Sequence, residues 1–241
     1  MTKQEIRKVT IQEIFDNSGL KEKGYKYLKL KACFDRHSSD FTFSIGFGST
    51  KMNMLDNTNI VIVTASVINN KYAGWQKSKF GTYSSGLIGA GKIKNLFKAG
   101  PPYYDFDLTE NEDVRKKVLG EISSILISDV LFFFELCSDT KKLLDNVNLP
   151  CFSISSIIEY FEFENLQTYI PLAIEKKSTL YPDLKKNIEY YTDFLSKNTK
   201  PVGGFKETFN DNFNIIFSNG HLYRAGQSMN SLPSQILERW M

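Results

Sequence analysis

Gly86, Gly91 and Lys92, in the stretch SSGLIGAGKIKN, have the spacing of a phosphate-binding loop, Gly-x4-Gly-Lys, in every position but the last. Such a loop works by wrapping phosphates in backbone amides at the start of a helix, with a Ser or Thr hydroxyl on magnesium. Here that last position is Ile93, which offers no ligand atom. The preceding residues, FGTYSS, are too polar for the buried strand that launches such a loop, and KIKNLFKAG after it stops at Gly100-Pro101. The apolar run NIVIVTAS lies upstream and carries no terminal Asp for a metal. The match therefore reads as chance. A phosphate- or nucleotide-binding enzyme built on residues 86–92 is the least favoured of three functional readings.

The other reactive residue types are sparse. His37 and Asp40 share a polar turn, where both are expected to be solvated. Asp105 and Asp107, two apart in YYDFDL, lack the further acids a divalent cation needs, so turn and cap roles are expected. Cys33, Cys137 and Cys151 show no CxxC spacing and read as reduced, buried thiols. With only His37 and His221 available, a zinc site is not expected. No Gly-x-Ser-x-Gly or His-Glu-x-x-His motif occurs. The expectation is a chain without catalytic residues, metal or cofactor, and a binding protein rather than an enzyme.

Two surfaces are candidates for binding. The stretch KEKGYKYLKLK, residues 21–31, interleaves Lys26, Lys29 and Lys31 with Tyr25 and Tyr27 on an expected strand. Single-strand nucleic-acid binders use that combination of basic groove and stacking rings. Residues 1–100 hold 16 Lys/Arg against 7 Asp/Glu, a net of +9, and residues 101–200 hold 11 against 17, a net of −6. No block of five like charges occurs, so the two halves are expected to attract each other across the fold. The second surface is the irregular stretch 69–108, whose aromatics Trp75, Tyr103 and Tyr104 are of the types that dominate protein interfaces.

The elements that must position these residues follow from periodicity. At 241 residues and 41% hydrophobic content the chain can build a core without staples, and its 19 Phe and 12 Tyr make that core aromatic. Ile6, Val9, Ile11, Ile14 and Phe15 mark an amphipathic helix over 3–18. Period two then places Leu28, Leu30, Ala32 and Phe34 on the buried face of one strand, and Phe41, Phe43, Ile45 and Phe47 on that of a second, with DRHSSD as the turn. NIVIVTASVI, apolar on both faces, suits a central strand. TENE offers a capping box between Thr109 and Glu112 for a helix bearing Val114, Val118, Ile122 and Ile125. DVLFFFELC fits a helix or a buried strand. Three helices follow, in SISSIIEYFEF, ENLQTYIPLAIEKK and PDLKKNIEYYTDFLSK, and FNIIFSNGHLYRA carries an Asn-Gly hairpin signal.

This order, with LKEKGYKYLKLKACF, FTFSIGFG and the block from LTENEDVRKKVLGEISSIL through DVLFFFELCSDTKKLL, resembles the domain-of-unknown-function 4304 family of small bacterial proteins over residues 5–146. The chain departs from that pattern in its 70–100 insertion and 201–241 tail. The resemblance implies a stand-alone cytoplasmic protein of the kind suspected of neutralising toxins of competing bacteria.

The expected fold is α+β: an antiparallel sheet of three to five strands with helices on one face, then a helical segment and a C-terminal hairpin. The expected partition is an α+β domain over 1–146, helices over 147–200 and a tail over 201–241. The leading functional reading is a non-catalytic protein-binding module, an immunity protein in the form the resemblance implies, with Trp75, Tyr103 and Tyr104 as anchors. The nucleic-acid reading through Lys26, Lys29 and Lys31 comes second. The longest apolar run, ISSILISDVLFFFEL, is broken by Asp129 and falls short of the roughly 20 residues a span needs. The N-terminus shows no secretory pattern. A cytoplasmic location is expected, and a membrane is not an expected partner.

Overall fold

A computed structural model describes residues 2–49, 59–80, 85–98, 106–108 and 111–179. The fold is α+β. The chain divides into two compact units, one of residues 1–68 and 90–138, the other of 69–89 and 139–241. The stretch 69–89 thus groups with the helices after residue 139.

The first unit opens with α1 (Lys3–Asn17), which begins on a capping box. The Thr2 hydroxyl accepts from the Glu5 amide at 3.2 Å and the Glu5 carboxylate accepts from the Thr2 amide at 2.7 Å. These bonds occupy donors that a helix start leaves open. Ile6, Ile11, Ile14 and Phe15 are buried, as their spacing predicts, whereas Val9 is exposed.

The expected strand over 25–34 is instead a hairpin. β1 (Lys26–Leu28) turns back through residues 29–32 into β2 (Cys33–His37), pairing Tyr27 with Phe34 and Leu28 with Cys33. The Lys31 amide donates to the Leu28 carbonyl at 3.0 Å, and Ala32 takes a left-handed φ of 47°. Cys33 and Phe34 are buried and Tyr27 is half-buried beside Phe34; Leu30, expected on the buried face with Phe34, stands wholly outside. A second turn, held by mutual Ser38–Phe41 bonds, leads to β3 (Phe41–Ser49).

β3 buries Phe43, Ile45 and Phe47 on one face, as their spacing predicts, while Phe41 at its start is only half-buried. Their rings pack with Phe34 (4.8 Å from Phe47) and Phe134 (5.3 Å from Phe43). β4 (Ile60–Asn69) lies between β3 and β5 (Leu87–Lys92), as its two-faced apolar character requires, and the short β6 (Phe106–Asp107) pairs antiparallel with its first residues.

α3 (Glu112–Ile125) is capped by Asn111, whose Oδ1 accepts from the Asp113 and Val114 amides at 3.0 and 3.2 Å. The expected capping box of Thr109 and Glu112 falls on Thr109, which lies outside the described residues. The helix runs through a π turn (Leu126–Val130) into α4 (Leu131–Ser138), so DVLFFFELC is helical, with Phe133, Phe134, Leu136 and Cys137 buried.

The second unit contains α2 (Asn70–Phe80), α5 (Thr140–Asp145), α6 (Ile154–Phe163) and α7 (Tyr169–Ser178). α6 packs on α2 and on α7. It ends in a Schellman turn: Asn165 adopts φ 57°, its amide donates to the Glu162 carbonyl, and the Leu166 amide donates to the Phe161 carbonyl at 2.8 Å. Pro171 sits in the first turn of α7, where no intrahelical amide is needed. The helix expected over PDLKKNIEYYTDFLSK and the FNIIFSNGHLYRA hairpin lie outside the described residues.

Candidate functional site

The glycine stretch is not a loop. Leu87–Lys92 is strand β5, and only one 3-10 turn, Ile93–Asn95, follows it. The Gly86 amide donates to Gln76 Oε1 at 3.0 Å, and the Gly86 carbonyl accepts from the Asn69 amide at 2.8 Å. Gly86 has φ +60°, and a Cβ there would overlap the Asn69 carbonyl oxygen and lie 2.7 Å from the Ala73 Cβ. The glycine therefore serves close packing of the strand entry against the start of α2, where the Asn69 side chain accepts from the Tyr72 amide at 2.9 Å. An extended strand leading into a single 3-10 turn presents no helix dipole to a phosphate.

Around this contact the second unit builds a buried polar network inside an aromatic cluster. Tyr72 is fully buried, and its hydroxyl donates to Glu159 Oε2 at 3.1 Å. Gln76 Nε2 donates to the same oxygen at 3.0 Å, while its carbonyl end holds Gly86. One glutamine thus ties the strand entry to α6. Burial first, then the neighbouring Glu159 charge, raises the Tyr72 hydroxyl well above its ordinary pKa, so it stays a proton donor. Burial likewise raises Tyr160.

Trp75 belongs to this cluster. It lies on α2, not in an irregular loop, and its ring is 5.9 Å from both Tyr72 and Phe163, edge-on to the latter. Tyr72, Tyr160 and Phe163 pack against one another at 5.5 to 6.0 Å. Trp75 is only half-buried. Its two expected companions, Tyr103 and Tyr104, lie outside the described residues. The helix escaped sequence reading because Gly74 and three lysines dilute its apolar spacing; Asn69 followed by Tyr72, Trp75 and Gln76 was the available signal.

The basic stretch is arranged differently from a nucleic-acid platform. Lys26, Lys29 and Lys31 are all exposed, but the interleaved rings face inward. Tyr25 is buried with Phe134 at 6.2 Å and Arg36 over its ring at 5.3 Å. Tyr27 is half-buried between Phe15 (5.9 Å) and Phe34 (5.3 Å). Burial pushes Tyr25 up to about 12.

A further residue gave no sequence signal at all. Lys177, in the polar run IEKKS, is 1% exposed. Its ammonium donates to the Leu149 and Phe152 carbonyls at 2.9 and 2.7 Å, fastening α7 to the turn after α5. Burial lowers it to about 8. All three cysteines are unbridged and buried, and burial foremost pushes Cys33 up to about 11 and Cys151 to about 12. Asp35, two residues beyond Cys33, accepts from the Ser44 hydroxyl, and His37 Nδ1 shares a hydrogen bond with the Thr42 hydroxyl. Among the described residues, no three His, Cys, Asp or Glu side chains converge as metal ligands, and no helix is long and apolar enough to cross a membrane.

Against this geometry, comparison with known proteins adds nothing: no protein-family model, no curated protein and no solved structure matches the chain.

Proposed function

We propose that this chain is a non-catalytic protein-binding module with Trp75 as an anchor, joined by Tyr103 and Tyr104. One observation carries the reading. The Trp75 ring is gripped by Tyr72 and Phe163, and Tyr72 is itself tied to Glu159, yet the indole keeps part of its surface outside. A large ring held still in the free protein loses little entropy on binding, and Trp is the residue type most enriched at interface hot spots. The polar groups around it are engaged in structural bonds, which also favours sticking over bond-making. The resemblance to the domain-of-unknown-function 4304 family gives the reading its specific form: a cytoplasmic bacterial immunity protein whose partner is a protein toxin.

The test is affinity capture from a lysate of the source organism by the wild-type chain and by Trp75→Ala. The recovered protein is then purified and titrated against both. The expected loss is about 30-fold, the roughly 2 kcal/mol of a hot-spot truncation. Trp75→Phe, which preserves the ring packing, separates lost contact from lost fold when circular dichroism is compared. Equal capture by both chains, or turnover of a small molecule by the pure protein, overturns the reading.

A further inference from the structure

Leu30 is the most exposed large apolar side chain described, at 105% of its reference surface. Sequence spacing had assigned it to the core. The hairpin instead lifts it to the apex of the four-residue turn between Leu28 and Cys33, flanked by exposed Lys29 and Lys31. Behind the apex follow exposed Lys26, Lys23 and Lys21, so residues 21–31 hold five lysines against the single acid Glu22. Lys26 stands opposite Asp35 in the ladder, which leaves Lys29 and Lys31 as the cations of the tip itself.

The turn is a defined structure. Its amides at Lys31 and Ala32 donate back to Leu28 and Lys29 at 3.0 and 3.3 Å, and the Ala32 carbonyl accepts from the Phe47 amide at 2.9 Å. Ala32 nevertheless adopts the left-handed conformation that alanine disfavours. Tyr27, packed between Phe15 and Phe34, holds the base. Lysines on an edge strand are explained by protection against edge pairing. An outward leucine at the apex is not.

We infer that this hairpin tip docks on an anionic lipid surface, with Leu30 entering the headgroup–acyl boundary and Lys29 and Lys31 pairing with lipid phosphates and carboxylates. The chemistry selects this occupant. A single-stranded nucleic acid needs exposed rings, and here Tyr25 and Tyr27 face the core. A protein interface core is depleted in lysine, and leucine is under-represented among its hot spots. An aliphatic apex ringed by flexible ammonium groups matches a bilayer, where alkyl stems dip and charges remain at headgroup level. This inference uses none of the residues of the Trp75 cluster, and its failure leaves the protein-binding reading standing.

The experiment sediments the full chain with vesicles of phosphatidylcholine alone and of phosphatidylcholine mixed with phosphatidylserine. Binding is expected only to the anionic vesicles and weakens as salt is raised. Leu30→Ser is expected to bind about tenfold more weakly. Lys29→Glu with Lys31→Glu is expected to lose at least about 25-fold, roughly fivefold per lysine. Leu30→Cys, labelled with an environment-sensitive dye while the native thiols stay buried, is expected to shift to the blue on the anionic vesicles. No sedimentation with phosphatidylserine, equal binding to both vesicles, or an unchanged Leu30→Ser overturns the inference. So does displacement by a single-stranded oligonucleotide that binds wild type and Leu30→Ser alike, which identifies a nucleic-acid surface instead.

Discussion

Replacing Gly86 with alanine tests whether this glycine is a packing device. At φ +60° an L side chain costs about 1–2 kcal/mol through its own carbonyl crowding. The new methyl would also overlap the Asn69 carbonyl oxygen and sit 2.7 Å from the Ala73 Cβ and 3.0 Å from its amide nitrogen. Backbone atoms cannot swing aside as a lysine tip would, so an overpacking cost of about 1–3 kcal/mol is added. The shift also strains the bonds from Asn69 to Gly86 and from Gly86 to Gln76. Alanine returns up to about 1 kcal/mol by restricting the unfolded chain. The net expectation is a loss of about 2–4 kcal/mol. Urea unfolding followed by circular dichroism reads it, with Gly74→Ala as the companion: that glycine lies exposed on α2, and a Cβ there meets nothing within 4 Å. Gly74→Ala is expected to stabilise by about 0.5–1 kcal/mol. Two chains equal within about 0.5 kcal/mol would refute the packing argument. A stable Gly86→Ala that had lost affinity for ATP would revive the phosphate-loop reading.

Lys177→Met isolates a pH effect. Lys177 drops from 10.5 to about 8 in the folded chain, so between those values the unfolded chain binds the extra proton. Wild-type stability measured relative to Lys177→Met should therefore rise from pH 8 to 10.5, by up to about 3 kcal/mol, and be flat below pH 8. Raised acids that do not interact with Lys177, such as Tyr25 and Cys33, push stability down over the same range, but in both proteins, so they cancel in the difference. Cys151, whose charge interacts with that of Lys177, does not cancel in full. A flat difference would mean that the amine is not buried. For the thiols, iodoacetamide at pH 8 should leave Cys33, Cys137 and Cys151 unmodified in the native chain and alkylate all three in urea; labelling of the folded protein within minutes contradicts their burial. Asn111→Ala should cost about 1 kcal/mol through its two amide bonds, read as a lower urea midpoint with unchanged slope, and no change would remove Asn111 as the cap of α3.

Periodicity made α1 and β3 legible, because each keeps one period over its length and buries most of the face that period marks, while β4 and α6 were legible from their apolar composition. It failed at the β1–β2 hairpin for an identifiable reason. The alternation of YKYLKLKACF runs on through the turn, and none of residues 29–32 is Gly, Asn, Asp or Pro. It failed again at α2, where one glycine and three lysines hid a helix whose buried face is Tyr72 and the inner side of Trp75.

The residue list alone therefore determined the class of the protein: an aromatic-cored α+β chain whose three cysteines stay unbridged. What the tertiary structure decided was which similar-looking residues face in and which face out. Leu28 and Leu30 share one strand face in the sequence pattern, and Lys176 and Lys177 are neighbours of one type. Pairing with β3 and the packing of Phe34 under Phe47 reverse the chain at residues 29–32 and expel Leu30, while two carbonyls of a distant turn draw in Lys177 and leave Lys176 partly exposed on Asp145. Local sequence sets the period of a segment; the partner it packs against sets where the segment stops and which polar group is satisfied inside.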